Sequence, residues 1–116
     1  LAVGSSSRNA RTILDTVGLT PRFRAVVDGT EVSHSKPDPE IFALAARRLA
    51  LPPGRCLVVE DAAAGVRSGL AAGCAVLAVG FAAADPASAA AAHATAASLA
   101  DIGVDEMLSL TRSERP

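Results

Sequence analysis

Tryptophan and tyrosine are absent from these 116 residues, and phenylalanine occurs only three times. Binding single-stranded nucleic acid takes aromatic faces beside a basic groove. Here the formal net charge is −1, with acids and bases interspersed, so no nucleic-acid partner is expected. Long apolar runs are missing as well. Arg, Asp or Gly interrupts each one before the roughly 20 residues needed to cross a bilayer, and no membrane partner is expected. Cysteine is limited to Cys56 and Cys74, each at the boundary of an apolar run. Two widely spaced thiols suit a reducing cytoplasm better than a disulfide or a metal pair. The chain opens on Leu1-Ala2-Val3 without the basic start and apolar stretch of a signal peptide. It reads as the middle of a strand, and the expectation is a chain that begins inside a larger protein.

What is present is small and aliphatic. Half of the residues are hydrophobic, and much of that half is alanine. The length suits one domain, expected over residues 1–110 with a polar tail over 111–116. Its core should be thin, with Val, Leu and Ile on strands and Ala-faced helices against them. Short apolar runs at Leu1–Gly4, Ala25–Val27, Cys56–Val59 and Ala75–Val79 alternate with helical spacing. The helical stretches are Ala10–Val17, Pro39–Ala50 and Ala62–Ala72, followed by Gly18, Pro52 and Gly73 as stops. A short helix is expected from Asp85-Pro86, and a final strand and helix over 98–108. Alternating strands and helices predict an α/β fold, Rossmann-like, with a parallel sheet and helices on both faces.

In such sheets ligands bind beyond the carboxyl ends of the strands. Glu60 and Asp61 follow Leu57-Val58-Val59 at one such end. Two adjacent carboxylates repel unless a cation offsets them, which points to an oxygen-rich Mg²⁺ site. The competing reading makes Asp61 a helix cap and leaves Glu60 solvated. Ser5-Ser6-Ser7 lies between a strand and a helix start, where free N–H groups and hydroxyls favour an anion. Ser7 can also serve simply as an N-cap. Lys36 is an isolated cation between Ser35 and Pro37 and falls on the same sheet edge, with Asp38 and Pro39 starting the next helix. His34 shows no partner in the sequence, and His93 is expected to be neutral and locally hydrogen-bonded. Asp28-Gly29-Thr30 reads as a turn, because Val26 stands where a second aspartate would be needed. Hydroxyls, lysine and acids together form a phosphate site with a metal. A nucleophile with an activating partner is missing, as is a further carboxylate for the metal.

Three stretches resemble motifs of the haloacid dehalogenase superfamily, in its β-phosphoglucomutase-like phosphatase branch. Val3-Gly4-Ser5-Ser6-Ser7-Arg8-Asn9 is similar to the second motif, which implies that Ser5, the Ser6 backbone N–H and Asn9 bind the phosphoryl group. Ser35-Lys36-Pro37-Asp38-Pro39-Glu40-Ile41-Phe42 is similar to the third, with Lys36 as the phosphate-binding lysine. Val59-Glu60-Asp61-Ala62-Ala63-Ala64-Gly65-Val66 is similar to the fourth, which implies Mg²⁺ held by Glu60 and Asp61, Asp61 being the surer ligand. The family's first motif, Asp-x-Asp-Gly-Thr, and its helical cap domain do not occur here. The resemblance thus implies a fragment of a Mg²⁺-dependent phosphatase or sugar phosphomutase, with Ser5 and Lys36 as its catalytic residues in this chain. Its substrate would be a small phosphorylated metabolite, and its partner the missing N-terminal part of the same protein. The second reading is a non-catalytic phosphate-binding or interaction module derived from such an enzyme. A response-regulator receiver fits less well, since such domains carry acids at the first strand, where Ser5 stands.

Overall fold

Three-residue and four-residue apolar strands bury little by themselves, so each depends on a parallel neighbour and on a helix laid across it. The computed structural model describes residues 1–111; residues 112–116 of the expected polar tail lie outside the described residues. Strand β1 (Ala2–Gly4) pairs in parallel with β2 (Ala25–Val27), Ala2 opposite Ala25. Helix α1 (Ala10–Thr16) joins them and ends before Gly18, whose φ of 73° is the left-handed turn that glycine adopts without strain. Helix α2 (Glu40–Arg48) then leads to β3 (Leu57–Glu60), α3 (Ala63–Ala71) and β4 (Ala75–Val79). The remaining elements are α4 (Gly80–Ala84), α5 (Pro86–Ala91), β5 (Ala94–Ala96) and α6 (Val104–Ser109). Thr111 belongs with the end of α6, since its N–H and its hydroxyl both donate to the Leu108 carbonyl.

The expected α/β architecture is present, with parallel strands and helices on both sides, but its strands form two sheets. One is β1-β2 and the other β3-β4-β5, with Leu57 opposite Ala75 and Leu77 opposite Ala94. Among the described residues no backbone hydrogen bond joins β1 to β3.

The last strand is also displaced from its expected place. It falls at Ala94–Ala96, while Leu99–Asp101 is a 3-10 turn capped by the Ser98 hydroxyl. Ala-Thr-Ala has little strand preference of its own, and pairing with the buried β4 imposes the conformation. His93 helps to start that pairing. Its N–H donates to the Val76 carbonyl (2.9 Å), and its Nδ1 accepts the Val76 N–H (3.0 Å), a cross-sheet bond where a local one was expected.

The core is as thin as the composition implies. Val27, Ile41, Val66, Val76 and Leu77 are its largest fully buried apolar side chains. Ala45 and Ala46 of α2 are buried beside Ile41. Gly69 brings α3 close to the sheet: a Cβ there would lie 2.9 Å from the Val76 side chain and 3.1 Å from that of Val58. Ser68 is fully buried, and its hydroxyl donates to the Asp38 carbonyl (2.6 Å), which satisfies it.

Charge holds the carboxyl end of β2 against α1 and α2. Arg11 of α1 donates to Asp28 (2.6 Å) and Glu31 (3.0 Å), and Arg48 of α2 reaches Glu31 (2.7 Å). Asp28 is buried, and its Oδ1 accepts both the N–H and the hydroxyl of Thr30, so the Asp-Gly-Thr triplet is indeed a turn. The Arg48 guanidinium, with the Asp28 N–H, holds the Glu31 carboxyl down from 4.5 to about 2. A carboxyl depressed on folding stabilises the native state above its unfolded pKa, and this contribution fades as pH falls through the folded value. Stability should therefore drop as the pH is lowered from about 4.5 toward 2, and Glu31→Gln should flatten that limb of a melting-temperature profile. An unchanged acid limb in the variant would show that the pair contributes nothing there.

Candidate functional site

The carboxyl ends of β1 and β3 open onto one cleft of about 670 Å³. Ser5, Ser6 and Ser7 border it on one side, Glu60 and Asp61 on the other, and Lys36 stands between them. These are the residues singled out in the sequence, apart from Asn9, which does not line the cleft.

The serine loop is shaped by its own hydroxyls. Ser5 Oγ accepts the Ser7 N–H (3.1 Å), and Ser7 Oγ accepts the Asn9 N–H (3.0 Å). Ser7 thus organises the turn ahead of α1, while the N-cap position belongs to Asn9, which makes no side-chain cap bond. Gly29 lets the loop lie against the β2 turn: its N–H donates to the Ser7 carbonyl, and a Cβ there would collide with the Ser6 carbonyl oxygen.

Lys36 arrives from the loop before α2, across a cis bond to Pro37. Its ammonium pairs with Glu60 Oε2 at 2.5 Å and donates to the Gly4 carbonyl at 3.3 Å, lying 4.8 Å from the Phe42 ring centre. An ammonium has three N–H donors, so one is left for a ligand in the cleft.

The two adjacent acids separate in role. Glu60 is buried and turned toward Lys36, and the absence of a side chain at Gly65 makes room for it, since a Cβ there would overlap the Glu60 carboxylate. Asp61 is exposed to the cleft. Its backbone carbonyl accepts the Ala82 N–H at 3.0 Å, which anchors the residue from behind. An oxygen-only donor set of this kind suits a hard divalent cation such as Mg²⁺. With Glu60 drawn to Lys36, Asp61 is the carboxylate that faces the space where such an ion would sit.

Sequence reasoning missed the organiser of the lysine loop. Glu40 accepts the backbone N–H groups of Ser33 and His34 and pairs with His34 Nδ1 at 3.2 Å, so His34 has a partner after all. These bonds hold the Glu40 carboxyl below its ordinary range, the Ser33 N–H foremost. An acid in the first turn of α2, preceded by a polar loop, is the signal that was available. Asp38, expected with Pro39 to start the helix, accepts the Glu40 N–H (2.9 Å), while Pro39 takes the N-cap position.

Comparison with known proteins places this cleft in a family. The haloacid dehalogenase-like hydrolase family matches residues 1–73. The chain is 41% identical over 80 residues to the β-phosphoglucomutase of Bacillus subtilis, covering 69% of this chain and 35% of that one. It is 41% identical over 73 residues to a fructose-1-phosphate phosphatase of Escherichia coli, covering 63% and 39%. Among solved structures, a β-phosphoglucomutase from Clostridium difficile superposes with a TM-score of 0.84 at 25% identity, over 95% of this chain and 48% of that one. The chain therefore spans less than half the length of these relatives. With a family match over more than half its length, and its motifs gathered on one cleft, this chain belongs to the haloacid dehalogenase-like hydrolases.

Proposed function

We propose that this chain carries the phosphate clamp and half of the metal site of a Mg²⁺-dependent phosphatase or sugar phosphomutase. The observation that carries the reading is the convergence of the serine loop, Lys36 and Asp61 on one cleft. Ser5 and the Ser6 N–H would hold phosphoryl oxygens on one side, with Asn9 nearby in sequence, and the remaining Lys36 donor would hold another. Asp61, with Glu60 behind it, would hold Mg²⁺, which supplies charge neutralisation at the phosphoryl group. The substrate class is a small phosphorylated metabolite, and the proposed location is the cytoplasm. Among the described residues no helix is long and apolar enough to cross a membrane.

The attacking group is the part this chain does not supply. Ser5 Oγ accepts the Ser7 N–H, which leaves its O–H to donate to a phosphoryl oxygen, and the cleft lining holds no histidine or cysteine. In the whole protein an aspartate from the N-terminal part would form an aspartyl-phosphate, later passed to water or to a sugar hydroxyl. The lack of a nucleophile in the cleft also favours the second reading, a phosphate-binding or interaction module without turnover.

Titration of the pure chain with inorganic phosphate and Mg²⁺ tests the clamp. Lys36→Ala should weaken phosphate binding by about 10- to 100-fold, the loss of one charge-assisted bond. Asp61→Asn should abolish the Mg²⁺ response. Phosphate affinity unchanged in Lys36→Ala would refute the assignment. The substitution Gly65→Ala should displace the Glu60 carboxylate, and with it Lys36, so that phosphate binding falls although residue 65 brings no polar side chain to the cleft. Wild-type affinity in that variant would mean that the Lys36–Glu60 pair does not set the lysine's position. With p-nitrophenyl phosphate and Mg²⁺ the chain alone should show no turnover; turnover abolished by Asp61→Ala would overturn the view that its nucleophile lies elsewhere.

A further inference from the structure

Among the described residues, one further place gathers side chains able to ligate a metal. His34, Asp38 and Glu40 each present a ligand atom, and these atoms lie within 4.8 Å of one another. None of the three lines the phosphate cleft, although Ser35 and Lys36, which lie between them in the chain, do.

The two acids are held in place by the fold. Asp38 is fixed through its backbone, since its carbonyl accepts the hydroxyl of the buried Ser68 (2.6 Å). Its Oδ1 accepts the Glu40 N–H (2.9 Å), and its Oδ2 makes no bond within the described residues. Glu40 is fixed through its carboxylate, which accepts the N–H groups of Ser33 (2.9 Å) and His34 (3.0 Å). Metal-ligating carboxylates are tied by outer hydrogen bonds in just this way, which aims their remaining lone pairs. His34 supplies the third group. Its side chain is 71% exposed, so the ring can turn without disturbing the core.

Spacing and charge both suit a cation. His34 Nδ1 and Glu40 Oε1 stand 3.2 Å apart. Two ligands about 2.0 to 2.2 Å from one ion are separated by roughly 3.0 to 3.6 Å in octahedral or tetrahedral coordination. The pair therefore already has the spacing of one edge of a coordination shell, and an ion would take the place of the proton in that bond. No lysine or arginine among the described residues pairs with Asp38 or Glu40. With a neutral imidazole, the two carboxylates lack a compensating cation.

The donor set selects the ion. One imidazole nitrogen and two carboxylate oxygens suit Zn²⁺ and neighbouring transition metals, whereas Mg²⁺ favours oxygen alone. We propose that His34, Asp38 and Glu40 form a Zn²⁺ site, separate from the Mg²⁺ position at Asp61, with water completing the coordination. Its ligands bracket Ser35 and Lys36, so the ion would clip the start of α2 to the loop before it. The site depends on neither phosphate nor Mg²⁺ and stands apart from the clamp.

Titration of the untagged chain with Zn²⁺, and with Co²⁺ as its coloured substitute, tests this. An Asp61→Asn chain should still bind one Zn²⁺ by calorimetry, and Co²⁺ should give visible d–d bands that Zn²⁺ removes. His34→Ala should weaken binding by about 100-fold or more, since even an outer partner is worth roughly 10- to 100-fold. Asp38→Asn keeps the acceptor for the Glu40 N–H and should weaken binding by about tenfold. The rise in melting temperature given by Zn²⁺ should be lost in both variants. Unchanged Zn²⁺ affinity in His34→Ala would overturn the proposal. So would an intense near-ultraviolet thiolate band with Co²⁺, which would put the ion on a cysteine. Loss of all Zn²⁺ binding in Asp61→Asn would put it in the cleft and overturn the proposal equally. Zn²⁺ bound by a chain that binds no phosphate would remove the clamp reading and leave this one standing.

Discussion

The placement of the Lys36 ammonium governs the rest of the site. Glu60 is buried at the end of β3, and a carboxylate in that position is costly unless a charge and hydrogen bonds compensate it. Lys36 provides the charge and bonds to the Gly4 carbonyl as well, so one side chain ties together the ends of two strands that share no backbone bond. Removing either member of such a pair leaves the other uncompensated, at a cost of about 3 to 5 kcal/mol in comparable buried pairs. The contact proposed to position a phosphate ligand therefore also supports the fold locally.

Small residues make this arrangement possible. Gly65 leaves room for the Glu60 carboxylate, Gly69 lets α3 approach Val58 and Val76, and Gly29 accommodates the Ser6 carbonyl. The abundance of alanine has the same effect across the helices, at the expense of core volume. A domain built this way relies on close approach more than on large buried side chains, and it tolerates little added bulk at those glycines.

Much of this was legible in the sequence because the signals were local. Leu57-Val58-Val59 running into two acids predicts a buried strand with a site at its end, and Gly18 and Gly73 mark helix ends through the positive φ they adopt. The serine loop, Lys36 and Asp61 could be assigned to one edge because a parallel sheet aligns its strand ends. What could not be read depends on partners distant in the chain. Ala94–Ala96 is a strand only because β4 lies beside it. Glu60 and Asp61, adjacent in sequence, diverge because Lys36, distant in the chain, claims one of them. The division into two sheets is likewise a matter of which edges meet, and periodicity is blind to that.

Phe42 occupies the point where these features join. It packs against the core around Val66 and against the core around Ile41, and lies beneath the Lys36 ammonium. A chain with no indole and no phenol is nearly dark at 280 nm. An indole introduced by Phe42→Trp would be its single emitter, placed where core packing and the site's charge could both be followed through one fluorescence signal.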